Sequence, residues 1–480
     1  MTRYFRAMPF ALTPDILDAA AEHGISESEL IRQWERLQGG PSHCTPEAPC
    51  QRGDGIKSLS EKAMERLAAR GNALEAGQAV RLVPASGAAS RMFKALASSN
   101  KEAVKQLDAQ WERFPFRGAA EATGNCDSPS DRLAAVMARL DLPSMPKGGL
   151  PFHTYPEETR TAFEEHMYEW KATLSGTVPP HVHFTLPEEG QALWKERLEQ
   201  WASKVGVEVS TSVQHPSTDT IAMGSNGKPI VRGDGKPLFR PGGHGALLRN
   251  LSKLSQAHPG AFVSIKNIDN VRPTTAHDEV LPWRKALLGL TAEVDEARVQ
   301  AVKALDQGNA RPAELWLGRG IAHPSAPRPD GVAALRSALD RPLLVAGMVR
   351  NEGEPGGGPF WLRDDEGTLR AQIVESAEMD LGNPLIGNCI AGATHFNPVD
   401  LICVMHNTEG VPYDLNAYVD SRRDFLVSKS HLGKPLIGLE HPGLWNGAMG
   451  RWNTLFVEVP SRTFAPVKTV FDLLRPEHQA

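Results

Sequence analysis

Short apolar runs bounded by glycine, proline and polar residues recur through the second half of the chain: HVHFTL, AFVSIKNI, LLVAGMV, AQIVES, LICVMHN and TLFVEVP. Runs of this length and character suit strands buried on both faces. They alternate with stretches of helical period such as QALWKERLEQWASKVG, so the expected fold is an α/β domain around a buried mixed sheet. The N-terminal part reads differently. TPDILDAAAEHGISESELIRQWERL offers Thr13 as a cap before Pro14 and Ser26 or Ser28 before a second periodic run, and SLSEKAMERLAARG closes on Gly71. Residues 1–75 are therefore expected to form a small N-terminal helical layer, and residues 76–480 the main domain. Within the main domain a strand from Ala79 to Val83 leads through a turn to a helix starting near Ser90. A polar, helix-prone stretch at about 96–142, interrupted by GNCDSPSD, reads as an insertion over the core. The glycine clusters GEPGGGPFW and PGGHGALL are flanked by apolar strands and belong inside the domain.

Composition narrows the range of partners. The 480 residues carry 52 Lys+Arg against 57 Asp+Glu, a net charge of −5, with the basic residues dispersed, so no nucleic-acid partner is expected. No apolar run approaches the roughly 20 residues of a membrane span. MTRYFRAMPF lacks the apolar core of a secretory signal, and the expected compartment is the cytoplasm. Five scattered cysteines, without a Cys-x-x-Cys pair, read as reduced thiols.

The candidate chemistry begins at RLVPASGAASRMF, Arg81 to Phe93. A strand feeding a turn of glycine, alanine and serine exposes backbone N–H groups, and small side chains let an anion approach them. Arg91 would add a fork of donors suited to phosphate oxygens. Close packing of a helix on a sheet uses the same residue types, and the stretch alone leaves both readings open. It lacks the Gly-Lys-Ser/Thr of a P-loop and the Gly-x-Gly-x-x-Gly of dinucleotide folds.

PASGAASRM resembles the Leu-Ala-Gly-Gly-x-Gly-Thr-Arg-Met loop of sugar nucleotidyltransferases, and further segments resemble, in the same order, the UDP-sugar pyrophosphorylases of the N-acetylhexosamine and glucose type. MPKGGLPFHTY followed by RTAFEEH resembles the segment of the catalytic lysine, which falls on Lys147. VQHPSTDTIAMGSNGKPI resembles the turn whose glutamine, here Gln214, reads uracil. FRPGGHGALLRNL resembles the segment lying against base and ribose, here Gly242, Gly243 and His244. SIKNIDNV resembles the run whose aspartate, here Asp269, holds the metal. AQIVESAEMD, FNPVDLICV and TLFVEVPSRTFAPVKT resemble elements that place Glu375 and Asn397 at the sugar and Lys468 at the sugar phosphate. The set also resembles a bacterial family of unknown function, numbered 4301.

The resemblance implies a Rossmann-like, GT-A type nucleotidyltransferase domain with a central mixed sheet. It implies transfer of a nucleoside monophosphate, with UTP as donor, to a sugar 1-phosphate, giving an NDP-sugar and pyrophosphate. Arg91, Lys147 and Lys468 would be the catalytic cations and Asp269 the ligand of Mg²⁺. Ala85, Ser86, Gly87, Ala88 and Ser90 would hold the nucleotide with Gln214, Gly242, Gly243 and His244. The partners are then small molecules, and the chain is expected to be a monomer or weak homo-oligomer, since it stops about a dozen residues past Lys468. The pattern departs from the family at Ala89 and Ser90 in the loop and at Ala162, where the family has proline.

These roles suit the reaction. In-line attack on a phosphorus atom concentrates negative charge and asks for positioning and neutralisation, and a phosphate monoester needs no general base because it is already anionic. Plainer readings stand beside them: a solvated loop lysine at Lys147, an Asx-turn at Asp269, a turn cap at His244, a surface amide at Gln214. The GEPGGGPFW segment is either a hairpin turn or a lid carrying Glu352, Glu354 and Trp361, and the two Trp-Asn pairs of WNGAMGRWNTLF suit either sugar recognition or core packing. Two other functions fit the same residues. One is a non-catalytic nucleotide-sugar binding or sensing protein. The other is a GT-A glycosyltransferase, for which Asn267-Ile-Asp269 supplies half of the Asp-x-Asp metal motif. CTP remains open beside UTP.

Overall fold

The computed structural model describes residues 12–327, 329–353, 356–365 and 367–480; Glu354 and the side chain of Asn397 lie outside this description. Its centre is a nine-stranded sheet. In chain order the strands are β1 (Gln51–Arg52), β2 (Gly55–Lys57), β3 (Ala79–Pro84), β4 (His181–Leu186), β5 (Glu208–Val213), β6 (Phe262–Ile265), β7 (Leu343–Arg350), β8 (His395–Val404) and β9 (Asn453–Glu458). Across the sheet they run β1-β2-β9-β7-β8-β6-β3-β4-β5. Only β8 is antiparallel to its neighbours, β6 and β7. The others pair in parallel, so β6, β3, β4 and β5 present their C-terminal ends along one edge.

Both faces of this sheet are buried, which is why its strands read as unbroken apolar runs. On β3, Ala79 and Val83 join one core, while Val80 and Leu82 join the other; on β7 the same division separates Leu343 and Val345 from Leu344, Ala346 and Met348. The first core is covered by α3 (Glu61–Asn72), α4 (Ala162–Thr173), α5 (Gln191–Val205) and α7 (His277–Asp306). The second is covered by α6 (Leu248–Ala257), a three-stranded sheet of Ala48–Pro49, Gly358–Arg363 and Leu369–Val374, and the segment from Leu444 to Trp452.

Within the predicted N-terminal layer, the described residues 12–75 do not form one helical unit. α1 (Pro14–Glu22) and α2 (Glu27–Gly39) pack with Ile221, Met223 and the hairpin Phe425–His431/Lys434–Glu440 in a separate apolar cluster. β1 and β2 extend the main sheet, and α3 lies on α7, where a Cβ on Gly71 would stand 1.9 Å from the Lys285 carbonyl oxygen. The short strands escaped the pattern because two or three residues carry no period. Ser26, not Ser28, caps α2, accepting from the Glu29 N–H at 3.2 Å. AQIVES falls in the three-stranded sheet rather than the central one. No helix of the described residues is long and apolar enough to cross a membrane.

Candidate active site

The edge formed by the C-terminal ends of β6, β3, β4 and β5 opens into a cavity of about 870 Å³, the place where open α/β sheets bind ligands. Its floor is the loop after β3. That loop turns through a single 3₁₀ turn, Ala89–Arg91, before a four-residue helix, Lys94–Ala97, so the helix expected from Ser90 is cut to these turns and the loop itself brings no helix dipole of consequence to the cavity. The loop works through individual amides. Ala89 N–H donates to Met145 O at 2.9 Å and Lys147 N–H to Gly87 O at 3.1 Å, which stitches Lys147 to the loop. The N–H groups of Ser86, Gly87 and Ala88 take no partner among the described residues, and all three residues line the cavity with Ser90 and Arg91. A Cβ on Gly87 would meet nothing within 4 Å. The space the missing side chain leaves is cavity, not protein.

Ala85 is placed otherwise. It is buried and off the cavity, and its N–H is spent on Thr185 Oγ1 at 3.0 Å. Gly242 is also off it: its carbonyl accepts from His441 N–H at 2.9 Å, and a Cβ there would lie 2.4 Å from Thr218 O. Gly243 and His244 do line the cavity. Gly243 has φ of +76°, and His244 accepts from Leu444 N–H through Nδ1, stacks on Trp445 at 4.3 Å between ring centroids and sets Nε2 3.5 Å from Glu375 Oε1. Burial works against the charge on Glu375, but His244, Trp445 and Arg423 together hold its carboxyl below the ordinary range. Glu375 thus supports His244 at the rim.

Lys147 heads a Lys-Gly-Gly turn whose glycines are demanded by packing: a Cβ on Gly148 would strike the Phe163 ring of α4 at 2.4 Å, and one on Gly149 the Trp194 ring of α5 at 2.2 Å. Its ammonium reaches Asp269 Oδ2 at 3.0 Å, and Lys468 Nζ reaches the same oxygen at 3.2 Å. Asp269 is 6% exposed, yet the two lysines outweigh its burial and keep its carboxyl below the usual carboxylate range. Residues 122 and 199 positions apart are thus brought to one oxygen.

Gln214, at the end of β5, lines the far side of the cavity, its buried side-chain amide beside the Asp219 carboxylate, where it partly offsets the rise that burial gives that group. Several lining residues were not singled out in the sequence: Glu188 and Glu189 after β4, Asp219 beyond β5, and the Lys429–Glu440 pair of the hairpin, 2.7 Å apart. The first three follow parallel strands and could have been found by the strand-end rule; the hairpin carried no signal. Along the sheet edge the cations therefore gather at β6 and β3 and the carboxylates at β4 and β5, Asp219 with His23 Nδ1 3.7 Å away. Glu352 lies off this cavity. Trp361, Trp452 and Asn446 are buried in the core, Trp361 donating to Asp54 Oδ1, so the glycine cluster holds a strand rather than a lid and only Trp445 of the two tryptophans reaches the site.

The family model described as "Domain of unknown function (DUF4301)" matches residues 14–118 and 132–479. The chain belongs to this family. No curated protein matches it. Among solved structures, the UDP-N-acetylglucosamine pyrophosphorylase of Trypanosoma brucei in complex with an inhibitor is 14% identical at a TM-score of 0.52, covering 96% of this chain and 75% of that one. A mutant UDP-glucose pyrophosphorylase of Leishmania major in complex with UDP-glucose is 13% identical at a TM-score of 0.49, covering 96% and 77%. The first of these shows that this DUF4301 chain shares the mixed α/β fold of that pyrophosphorylase.

Beneath the cavity the DUF4301 core holds a second cluster of charges. Glu169 of α4 accepts from Arg81 of β3 at 2.6 Å and from Lys266, at the end of β6, at 2.8 Å, and Arg284 of α7 lies 2.9 Å away. Arg284 also bonds both oxygens of Asp400 at 3.2 and 3.3 Å. All five are buried. Burial, with Arg284 beside it, lowers the Lys266 ammonium to about 8, and the three cations hold Glu169 well below the carboxylate range against its own burial. Thr161 and Glu164 serve as a reciprocal cap of α4, and Glu165 is tied to His153 and Tyr155, so this acidic pair builds the scaffold rather than the cavity.

A magnesium ion at Asp269 would take a single carboxylate from the protein, because no group of three His, Cys, Asp or Glu side chains gathers among the described residues. Both lysines occupy Oδ2. Such a donor set fits Mg²⁺ on one condition, that phosphate oxygens and water complete the octahedron, the usual arrangement for this ion beside a polyphosphate.

Proposed function

We propose that this protein is a nucleotidyltransferase that joins a nucleoside triphosphate, UTP first among them, to a sugar 1-phosphate. The observation that carries this reading is Asp269 held by Lys147 and Lys468 at the end of a cavity floored by the unpaired amides of Ser86, Gly87 and Ala88. The amides and Arg91 bind the β- and γ-phosphates as an anion nest. Lys147 is fixed to the loop through its own N–H and sets its ammonium toward the α-phosphate. Lys468, with its side chain 64% exposed, is free to bring in the acceptor phosphate. An acceptor oxygen, already anionic, attacks the α-phosphorus; the bond from that phosphorus to the bridging oxygen breaks, and pyrophosphate leaves. Magnesium bound with the triphosphate would supply further charge neutralisation at Asp269. The side-chain amide of Gln214 on the cavity wall supports a pyrimidine edge as its partner.

The test is pyrophosphate release from each of the four ribonucleoside triphosphates with pooled sugar 1-phosphates and Mg²⁺. Release with UTP that disappears in both Lys147→Ala and Asp269→Ala is the expected result. Tight UTP binding without release from any mixture would replace this reading by a nucleotide-binding protein.

A further inference from the structure

A second cavity, of about 790 Å³, adjoins the first where Lys468 lines it while its ammonium rests on Asp269. Both volumes lie in the range of about 300–1,000 Å³ usual for ligand pockets. The wall includes Val349 and the rings of Phe396 and Phe464, whose centroids are 5.8 Å apart. Around this apolar part stand five cations, four of them arginines, against the carboxylates of Glu279, Glu352 and Glu477. Arg272 is committed, with Nη1 donating to Glu279 Oε2 at 3.1 Å and to the Arg462 carbonyl at 3.0 Å. Arg475 is held by Asp472. The guanidinium of Arg462 takes no partner among the described residues, and Arg350 Nε stands 4.0 Å from Glu458 Oε1, at the limit of an ion pair, with its side chain 62% exposed.

These two arginines exceed what a sugar 1-phosphate needs, since its phosphate is served by Lys468. A neutral sugar presents hydroxyls that donate as well as accept, whereas a guanidinium only donates, in a fork matched to carboxylate or phosphate. We infer that the acceptor carries a second anionic group, a carboxylate or a phosphate on the sugar, and that Arg350 and Arg462 hold it in this cavity. The inference rests on the transferase reading for the place of the first phosphate, but its test does not depend on turnover.

Equilibrium binding to the full chain, by calorimetry, is compared for glucose 1-phosphate, glucuronic acid 1-phosphate and glucose 1,6-bisphosphate. At least one doubly anionic ligand is expected to bind about 5- to 10-fold more tightly than glucose 1-phosphate, and whichever it is names the group. In Arg350→Ala/Arg462→Ala that ratio falls to near one, and in Arg350→Lys/Arg462→Lys it is partly kept. Equal affinities in the wild type, or an advantage that survives the double alanine variant, would overturn the proposal. A retained advantage for the acidic ligand in wild type alone, with no pyrophosphate released from any mixture, would sink the transferase and leave the anion-binding pocket standing.

Discussion

Two clusters in this molecule are built alike and behave differently. Each sets a carboxylate among cations: Asp269 between Lys147 and Lys468 in the cavity, Glu169 among Arg81, Lys266 and Arg284 a few residues beneath it. The lower cluster is buried, and its four residues come from or directly follow separate elements that the sheet and helices lock in place. The upper one has a cation with a mostly exposed side chain, Lys468, and both of its lysines crowd one oxygen. In the lower cluster the charges pair with one another, only Arg81 Nε and Arg284 Nη1 lacking a hydrogen bond, and burial closes the cluster to a ligand. In the upper they are loosely matched, and a polyanion would find them available. Solvent access, not residue type, separates scaffold from site.

Each half of this contrast can be broken separately. Glu169→Ala strands three buried cations and is expected to cost about 3–5 kcal/mol, read as a fall in the denaturation midpoint or as failure to fold. Asp269→Asn should do the reverse: pyrophosphate release falls by about 100-fold or more, while the midpoint moves by less than about 1 kcal/mol because Lys468 can turn to water. A large loss of stability there would make the upper cluster scaffold too. Gly87→Val fills cavity and touches no protein atom, so UTP affinity is expected to drop by about tenfold or more with the midpoint unchanged. The smallest effect concerns pH. Lys266 is lowered to about 8 from an ordinary 10.5, so between those values the unfolded chain holds a proton that the folded chain has released. Stability carried by this group therefore rises with pH across that window and is flat below it. Denaturation of Lys266→Met followed from pH 7.5 to 10.5 should lack the rise that the wild type shows; parallel curves would mean the ammonium stays charged.

Much of this was legible in the chain. The buried strands announced themselves because both faces are apolar, and Lys147, Asp269 and Lys468, far apart in sequence, meet at one oxygen as the motif order implied. What the pattern hid has physical reasons. Ala85 sits inside the small-residue loop, but only the fold reveals that Thr185 claims its amide. The pull of Glu375 toward His244, and the burial of Trp361 and Trp452, depend on packing across the sheet. α7, with Pro282 near its start, and the hairpin at Phe425–Glu440 carry no motif and were passed over. The arginines of the second cavity come from the end of β7 and from separate segments of the chain, and form no local signal.

The stitch between Gly87 and Lys147 has a consequence for engineering. Because Met145 and Lys147 return to bond the loop that the chain left at Ala89, everything between is an excursion whose two ends are pinned together. The length of such an excursion is a free variable, and the family model itself skips residues 119–131. A reporter domain spliced there would ride on the protein as cargo, its attachment insulated from the cavity by two hydrogen bonds.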